Sequence, residues 1–161
     1  MDKYNQHLER NQANYVPLSP LSFLRRAAEV FPDRLAVIHG AEQHTWSETF
    51  SRCRSLGSAL ASRGIQHGDT VAVMAPNVPA LMEAHFGVPA IGGVLNALNI
   101  RLDAKTIAFI LEHAEAKALI TDREFSPVIS EALSKLGKKP LVIDIDDPLT
   151  VSGERLGDLT Y

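Results

Sequence analysis

The sequence predicts an α/β fold: a mostly parallel sheet flanked by helices, with an early β-hairpin. Three observations predict it. Four short apolar runs begin at residues 71, 94, 118 and 141, a near-constant step. Each gap between them has room for one helix, and apolar residues recur there at helical spacing. A strand–turn–strand pattern precedes them, at residues 35–46.

Residues 1–16 are polar and aperiodic, which predicts an extended arm ended by Pro17 and Pro20. Leu21, Leu24, Ala27, Ala28 and Phe31 then repeat at helical spacing, and Pro32 stops that helix. Leu35–Ile38 reads as a strand, Gly40-Ala41-Glu42 as a turn, and Gln43–Trp46 as the returning strand. Thr45-Trp46-Ser47-Glu48 fits a capping box, in which Thr45 and Glu48 satisfy each other's amides. The helix it opens buries Phe50, Cys53, Leu56 and Leu60, and Gly64 closes it.

The repeating part follows. Its apolar runs are Val71–Met74, Val94–Leu98, Ala118–Ile120 and Leu141–Ile143. Of the intervening helices, Asn77 is expected to cap the first, Asp103 the second and Ser126 the third, with Pro127 in its first turn and Gly137 at its end. Pro89 should kink the first of these helices or end it early. Strand–helix–strand units with short links imply parallel pairing and right-handed crossovers. The units share no matching side chains, so the constant step is the length of a βα unit, not a sequence repeat.

Hydrophobic residues make up 45% of the 161 and charged residues 22%, an ordinary globular balance. The net charge of −3 attracts neither nucleic acid nor an anionic membrane. Arg52, Arg54 and Arg63, the densest basic group, read as a solvated helix face. One cysteine, Cys53, allows no disulfide within the chain. With a polar N-terminus and no apolar run of membrane-spanning length, a soluble cytoplasmic protein is expected.

The familiar chemical motifs are missing. There is no Gly-x-Gly-x-x-Gly turn, no phosphate loop ending in Gly-Lys-[Ser/Thr], and no Gly-x-Ser-x-Gly elbow. Gly92-Gly93 precedes a strand, which suits close backbone packing. Cys53 lies on an apolar helix face and reads as core. His39 and His44 flank the hairpin turn without the further ligands zinc needs. Asp144, Asp146 and Asp147 follow a strand and could hold Mg²⁺, although a solvated loop explains them as well. His85 sits at the boundary of an apolar stripe, where a satisfied boundary histidine competes with a functional one. Asn96 and Asn99 lie at a strand's end, where they can face a ligand crevice or tie down the next loop.

Three segments together resemble the adenylate-forming acyl-CoA synthetases. They are Thr45-Trp46-Ser47-Glu48-Thr49-Phe50, Gly68–Asn77, and Gly92–Leu102. In this order and spacing they cover roughly residues 17–145. Glu83–Pro89 and Leu95–Leu102 look most like the short- to medium-chain fatty acyl-CoA ligases, which include plant acyl-activating enzymes and methylmercaptopropionate-CoA ligases.

The resemblance implies the N-terminal, βα-repeat portion of that family's large domain. It also implies a two-step reaction in the full-length enzyme. A carboxylic (fatty) acid and ATP give an acyl-adenylate and pyrophosphate, with Mg²⁺. Coenzyme A then displaces AMP. The family's phosphate-gripping Ser/Thr/Gly loop, adenine segment, ribose-binding aspartate and C-terminal lysine have no match in this sequence. Thr150-Val151-Ser152-Gly153 comes nearest and runs into Glu154-Arg155.

The expectation is therefore an inactive fragment. Its divisions would be an arm (1–16), a partial AMP-binding domain (17–145) and a polar tail at a truncation point (146–161). It would carry no catalytic, cofactor-binding or metal-binding residue of its own. His85, Asn96 and Asn99 would be at most substrate-pocket candidates. Two alternatives stay open: a non-catalytic interaction or nucleotide-binding module on the ligase scaffold, or one half of a split ligase. Either would be served by a complementary chain, or by self-association through uncovered apolar surface.

Overall fold

The computed structural model describes residues 9–13, 15–16, 19–150 and 152–161, so most of the expected arm, with Pro17, lies outside the described residues. Helix α1 (Pro20–Val30) starts at Ser19, whose hydroxyl accepts from the Leu21 amide. Strands β1 (Leu35–His39) and β2 (Glu42–Thr45) form the expected antiparallel hairpin. Helix α2 (Trp46–Ser62) opens with the capping box: the Glu48 amide donates to Thr45 Oγ1 at 3.2 Å, and the Thr45 amide donates to Glu48 Oε2 at 2.8 Å. Beyond its end Gly64 takes φ 87°, a conformation that costs glycine little.

The remaining strands form one parallel sheet. They are β3 (Thr70–Met74), β4 (Val94–Ala97), β5 (Ala118–Asp122), β6 (Leu141–Ile145) and β7 (Leu159–Thr160), in the spatial order β4-β3-β5-β6-β7. Between them lie α3 (Pro79–Ala90), α4 (Ala104–His113) and α5 (Ser126–Ser134). Because strand side chains alternate, the sheet feeds two cores. Val71, Val73, Ile120 and Ile143 pack with Leu56, Leu60, Ala84 and Val88 of α2 and α3. Ala72, Met74, Leu119 and Val142 pack with Ile107, Leu111, Ile129 and Leu133 of α4 and α5. Every residue of β5 is buried, as a central strand covered on both faces must be.

Several local expectations are corrected. Asn77 does not cap α3. The cap is Val78, whose carbonyl accepts from the Leu81 amide, because Pro79 occupies the first helical position and shifts the start by one residue. Asp103 caps α4 as expected, accepting from the Thr106 amide at 2.9 Å. Ser126 does not cap α5. A 3₁₀ turn (Arg123–Phe125) runs into the helix, Asp122 caps that turn, and the Ser126 hydroxyl instead accepts from the Glu154 amide at 3.0 Å. α5 ends before Gly137, which is not in a left-handed conformation. Pro89 sits next to the last residue of α3, so the helix stops there rather than kinking.

Residues 146–161, expected as a polar tail, contain strand β7. Leu159 pairs with Ile143 and Thr160 with Asp144, in a ladder too short to leave a periodic signal in the sequence. Arg52 is not simply a solvated face residue either, because its guanidinium turns inward to Glu83.

Candidate functional site

In open α/β sheets ligands bind beyond the carboxyl ends of the strands, where the strand order reverses. Here β4 and β5 flank β3 on opposite sides, which puts the reversal between β3 and β5. A hollow of about 260 Å³ opens at the start of α3, lined by Val37, His39, Asn77, Met82 and His85 among others. His85 is exposed there, and its Nδ1 lies 2.7 Å from the Leu81 carbonyl oxygen, so one ring nitrogen is already engaged. Asn96 is half-buried on the outer strand β4, level with Ala72. Asn99 Oδ1 accepts from the Arg101 amide at 2.9 Å, which is the loop-tying role. Only His85 of the three is among the residues lining this hollow.

The carboxylates beyond β5 and β6 have separate partners. Asp144 is fully buried and accepts from the Leu156 and Gly157 amides. Asp146 binds Arg123 at 2.8 Å and also Arg155, and the bond from Arg123 chiefly holds its carboxyl below the usual range. Asp147 lies 2.8 Å from His39 Nε2. Burial would raise Asp147, but the His39 ring and the Leu149 amide outweigh it and hold the group below its ordinary value. Asp122 behaves oppositely. Burial raises it, the Glu124 amide offsets this in part, and the charges of Asp147 and Asp146 reinforce it. Its Oδ2 is buried without a hydrogen-bond partner in the structure. His44 meets Glu42, so the two hairpin histidines are turned to different carboxylates.

A second, larger hollow of about 370 Å³ lies between α2 and the β6–β7 edge. At its rim the Glu83 carboxylate, with a side chain only 2% exposed, receives Arg52 Nε at 2.5 Å and the Tyr161 hydroxyl at 2.7 Å. Burial and the Glu83 charge push the Tyr161 phenol far up, and the same two causes push the Cys53 thiol up to about 12. Arg52 of α2, Glu83 of α3 and Tyr161, the residue after β7, tie these elements together, and sequence reasoning missed them. The one available signal was a glutamate inside the run Ala80–Val88, where His85 is the one other polar residue.

Among the described residues no group of three His, Cys, Asp or Glu is arranged to hold a metal ion. Asp144, Asp146 and Asp147, which could have served Mg²⁺, are each spent on protein donors, and among the described residues no glycine-rich loop presents a row of amides to a phosphate. The residues present therefore do not fit ATP or Mg²⁺ by themselves.

Comparison with known proteins places this geometry. The AMP-binding enzyme family matches residues 24–158. The chain is 50% identical over 147 residues to the peroxisomal acetate/butyrate–CoA ligase AAE7 of Arabidopsis thaliana, and 52% identical over 147 residues to the acetate–CoA ligase CCL3 of Humulus lupulus. Each alignment covers 87% of this chain and 26% of the relative, so the chain spans about a quarter of the length of the curated relatives it matches. Among solved structures, a long-chain-fatty-acid CoA ligase from Rhodopseudomonas palustris superposes with a TM-score of 0.74 at 28% identity, covering 81% of this chain and 33% of that one. An anthranilate CoA ligase reaches a TM-score of 0.80 at 21% identity over 89% of this chain and 27% of its own, a likeness of fold alone. The sheet, its two helical layers and the aligned sequence agree: the chain belongs to the AMP-binding enzyme family, and it corresponds to the N-terminal region of the adenylate-forming ligases.

Proposed function

We propose that this chain is the scaffold-forming first part of an ATP-dependent acyl-CoA ligase, and that it is inactive by itself. In the complete protein a short- or medium-chain carboxylic acid reacts with ATP to give an acyl-adenylate and pyrophosphate, and the coenzyme A thiol then displaces AMP. The observation that carries this reading is the 50–52% identity to two ligases whose names give acetate and butyrate as substrates, over a quarter of their length. The commitment of Asp144, Asp146 and Asp147 to protein partners supports the inactivity.

Within the whole enzyme, His85, Asn96 and Asn99 are candidates for lining the substrate region, with His85 best placed. Exposed Phe23, Phe31, Leu35 and Ile38 leave apolar surface that later chain, a complementary chain or self-association would cover. No helix among the described residues is long and apolar enough to cross a membrane. The cytoplasm is our proposed compartment, although AAE7 is peroxisomal by name. Imaging a tagged, complete protein decides between the two.

The test has two arms. The purified chain should show no carboxylate-dependent exchange of pyrophosphate into ATP, and exchange above a blank would overturn the inactivity. Fused in frame to the downstream part of CCL3, it should form acyl-CoA from acetate or butyrate. A folded fusion without that activity would overturn the ligase reading.

A further inference from the structure

Residues 152–161 lie across the edge of the sheet in a way that is at once specific and weak. The specificity is steric. A Cβ on Gly153 would stand 1.8 Å from the Arg123 carbonyl oxygen, and one on Gly157 would stand 2.2 Å from that of Val142. Both obstacles are backbone, so neither can move aside cheaply. The weakness is in burial: none of residues 152–161 is buried, whereas every residue of β5 is.

What holds the segment is the two-residue ladder of β7 on β6, with the Tyr161 amide donating to the Asp144 carbonyl oxygen at 2.9 Å, a short set of side-chain bonds and three half-buried apolar side chains. Arg123 donates to the Gly153 carbonyl oxygen, Ser126 accepts from the Glu154 amide, and Asp144 accepts from the Leu156 and Gly157 amides. Arg155 reaches Asp146, and the Tyr161 hydroxyl closes the far end on Glu83. Leu156 packs on the α4–α5 core, while Leu159 and Tyr161 pack on the α2–α3 core.

Segments with little buried apolar area and exposed backbone bonds open below the free energy of global unfolding. We infer that residues 152–161 form a docked strap that opens as one unit ahead of the βα core, unmasking the Asp144 carboxylate and the Arg52–Glu83 pair. Among the described residues the Asp144 carboxyl oxygens accept only strap amides, and the Tyr161 hydroxyl bonds the strap to Glu83, so both groups report docking directly. Opening also frees the edge of β6 and widens the 370 Å³ hollow, whose lining includes Leu159, Thr160 and Tyr161. The strap is thus a built-in cover for a half-formed sheet edge.

Amide hydrogen exchange read by mass spectrometry tests this on the full 161-residue chain. In the wild type, peptides covering 152–161 should exchange at least about tenfold faster than those of β5. Gly157→Ala should raise the 152–161 rate by about a further tenfold while β3 and β5 stay within about twofold. Tyr161→Phe should give a smaller rise confined to the same segment. Strap amides exchanging at the β5 rate in the wild type would overturn the inference. So would a Gly157→Ala chain in which β5 loses protection along with the strap, including one that fails to fold, because the segment would then be integral to the core.

Discussion

Gly87→Ala sets helix propensity against packing at the contact between α2 and α3. Alanine in a helix interior is favoured over glycine by about 1 kcal/mol, so propensity alone predicts stabilisation. The structure predicts the opposite. A Cβ on Gly87 would lie 2.8 Å from the Cys53 carbonyl oxygen and 2.8 Å from Leu56 Cδ2, where ordinary contact begins at 3.4 Å. The carbonyl is fixed in α2 and Leu56 is buried, so α3 must withdraw by about 0.5 Å from a close-packed face. Overpacking of this kind costs about 1–3 kcal/mol, which leaves a net loss of about 1 kcal/mol after the propensity gain. With a urea m-value of about 2 kcal/mol/M, the midpoint should fall by about 0.5 M. Gly57→Ala is the internal control. Its Cβ would meet the Gly87 oxygen at 3.0 Å, a milder conflict, so the midpoint should move less. A Gly87→Ala chain at least as stable as the wild type, with unchanged m, would refute the close-contact argument.

The other predictions follow from single groups. Asp122 has a raised pKa in the folded chain, so its ionised form opposes folding at neutral pH and protonation relieves this as pH falls through the folded value. Asp122→Asn should therefore raise the thermal midpoint at pH 7, with the gain vanishing below the ordinary carboxylate value of about 3.9. A gain that persists in acid would contradict the sign. Asp146 has the opposite sign, because its pKa is depressed. Its contribution is present above the ordinary carboxylate value of about 3.9 and is lost as pH falls through the folded one, so acid should lower the amide protection factors of 152–161, taken against the intrinsic rate at each pH, before those of β5. Thr45→Ala removes the acceptor of the capping box and should cost about 1 kcal/mol in chemical denaturation. Cys53 is 3% exposed with its thiol pushed up to about 12, so iodoacetamide at pH 8 should label it only as fast as the chain unfolds.

Much of the fold could be read from the sequence because its signals are local. The capping box, the glycine at the end of α2 and the four apolar runs each depend on neighbours within a few residues. What could not be read depends on separation. The pairing of β3 with both β4 and β5 leaves no trace in either strand, since each is a short, mainly apolar run that would suit either neighbour. β7 has two residues and no period. Asn77 and Ser126 were displaced as caps by one-residue offsets, set by Pro79 in one case and by the Asp122-capped turn in the other. Arg52 looked solvated because its partner Glu83 lies on another helix, and Tyr161 joins them only through the fold. The site residues were hardest for the same reason. Asparagines 96 and 99 carry the same signal whether they face a crevice or a turn, and only the Asn99 bond to Arg101 tells the roles apart.

The strand order has a consequence for how the chain is made. After β4 takes one side of β3, β5 takes the other, and from there each strand joins the outer edge of the one before it: β6 on β5, β7 on β6. No strand is inserted between two that are already paired. A chain leaving the ribosome N-terminus first can therefore build this sheet in the order of synthesis, without undoing a contact. From β5 onward the growing edge belongs to the strand made most recently, while the outer edge of β4 stays as it was first laid down.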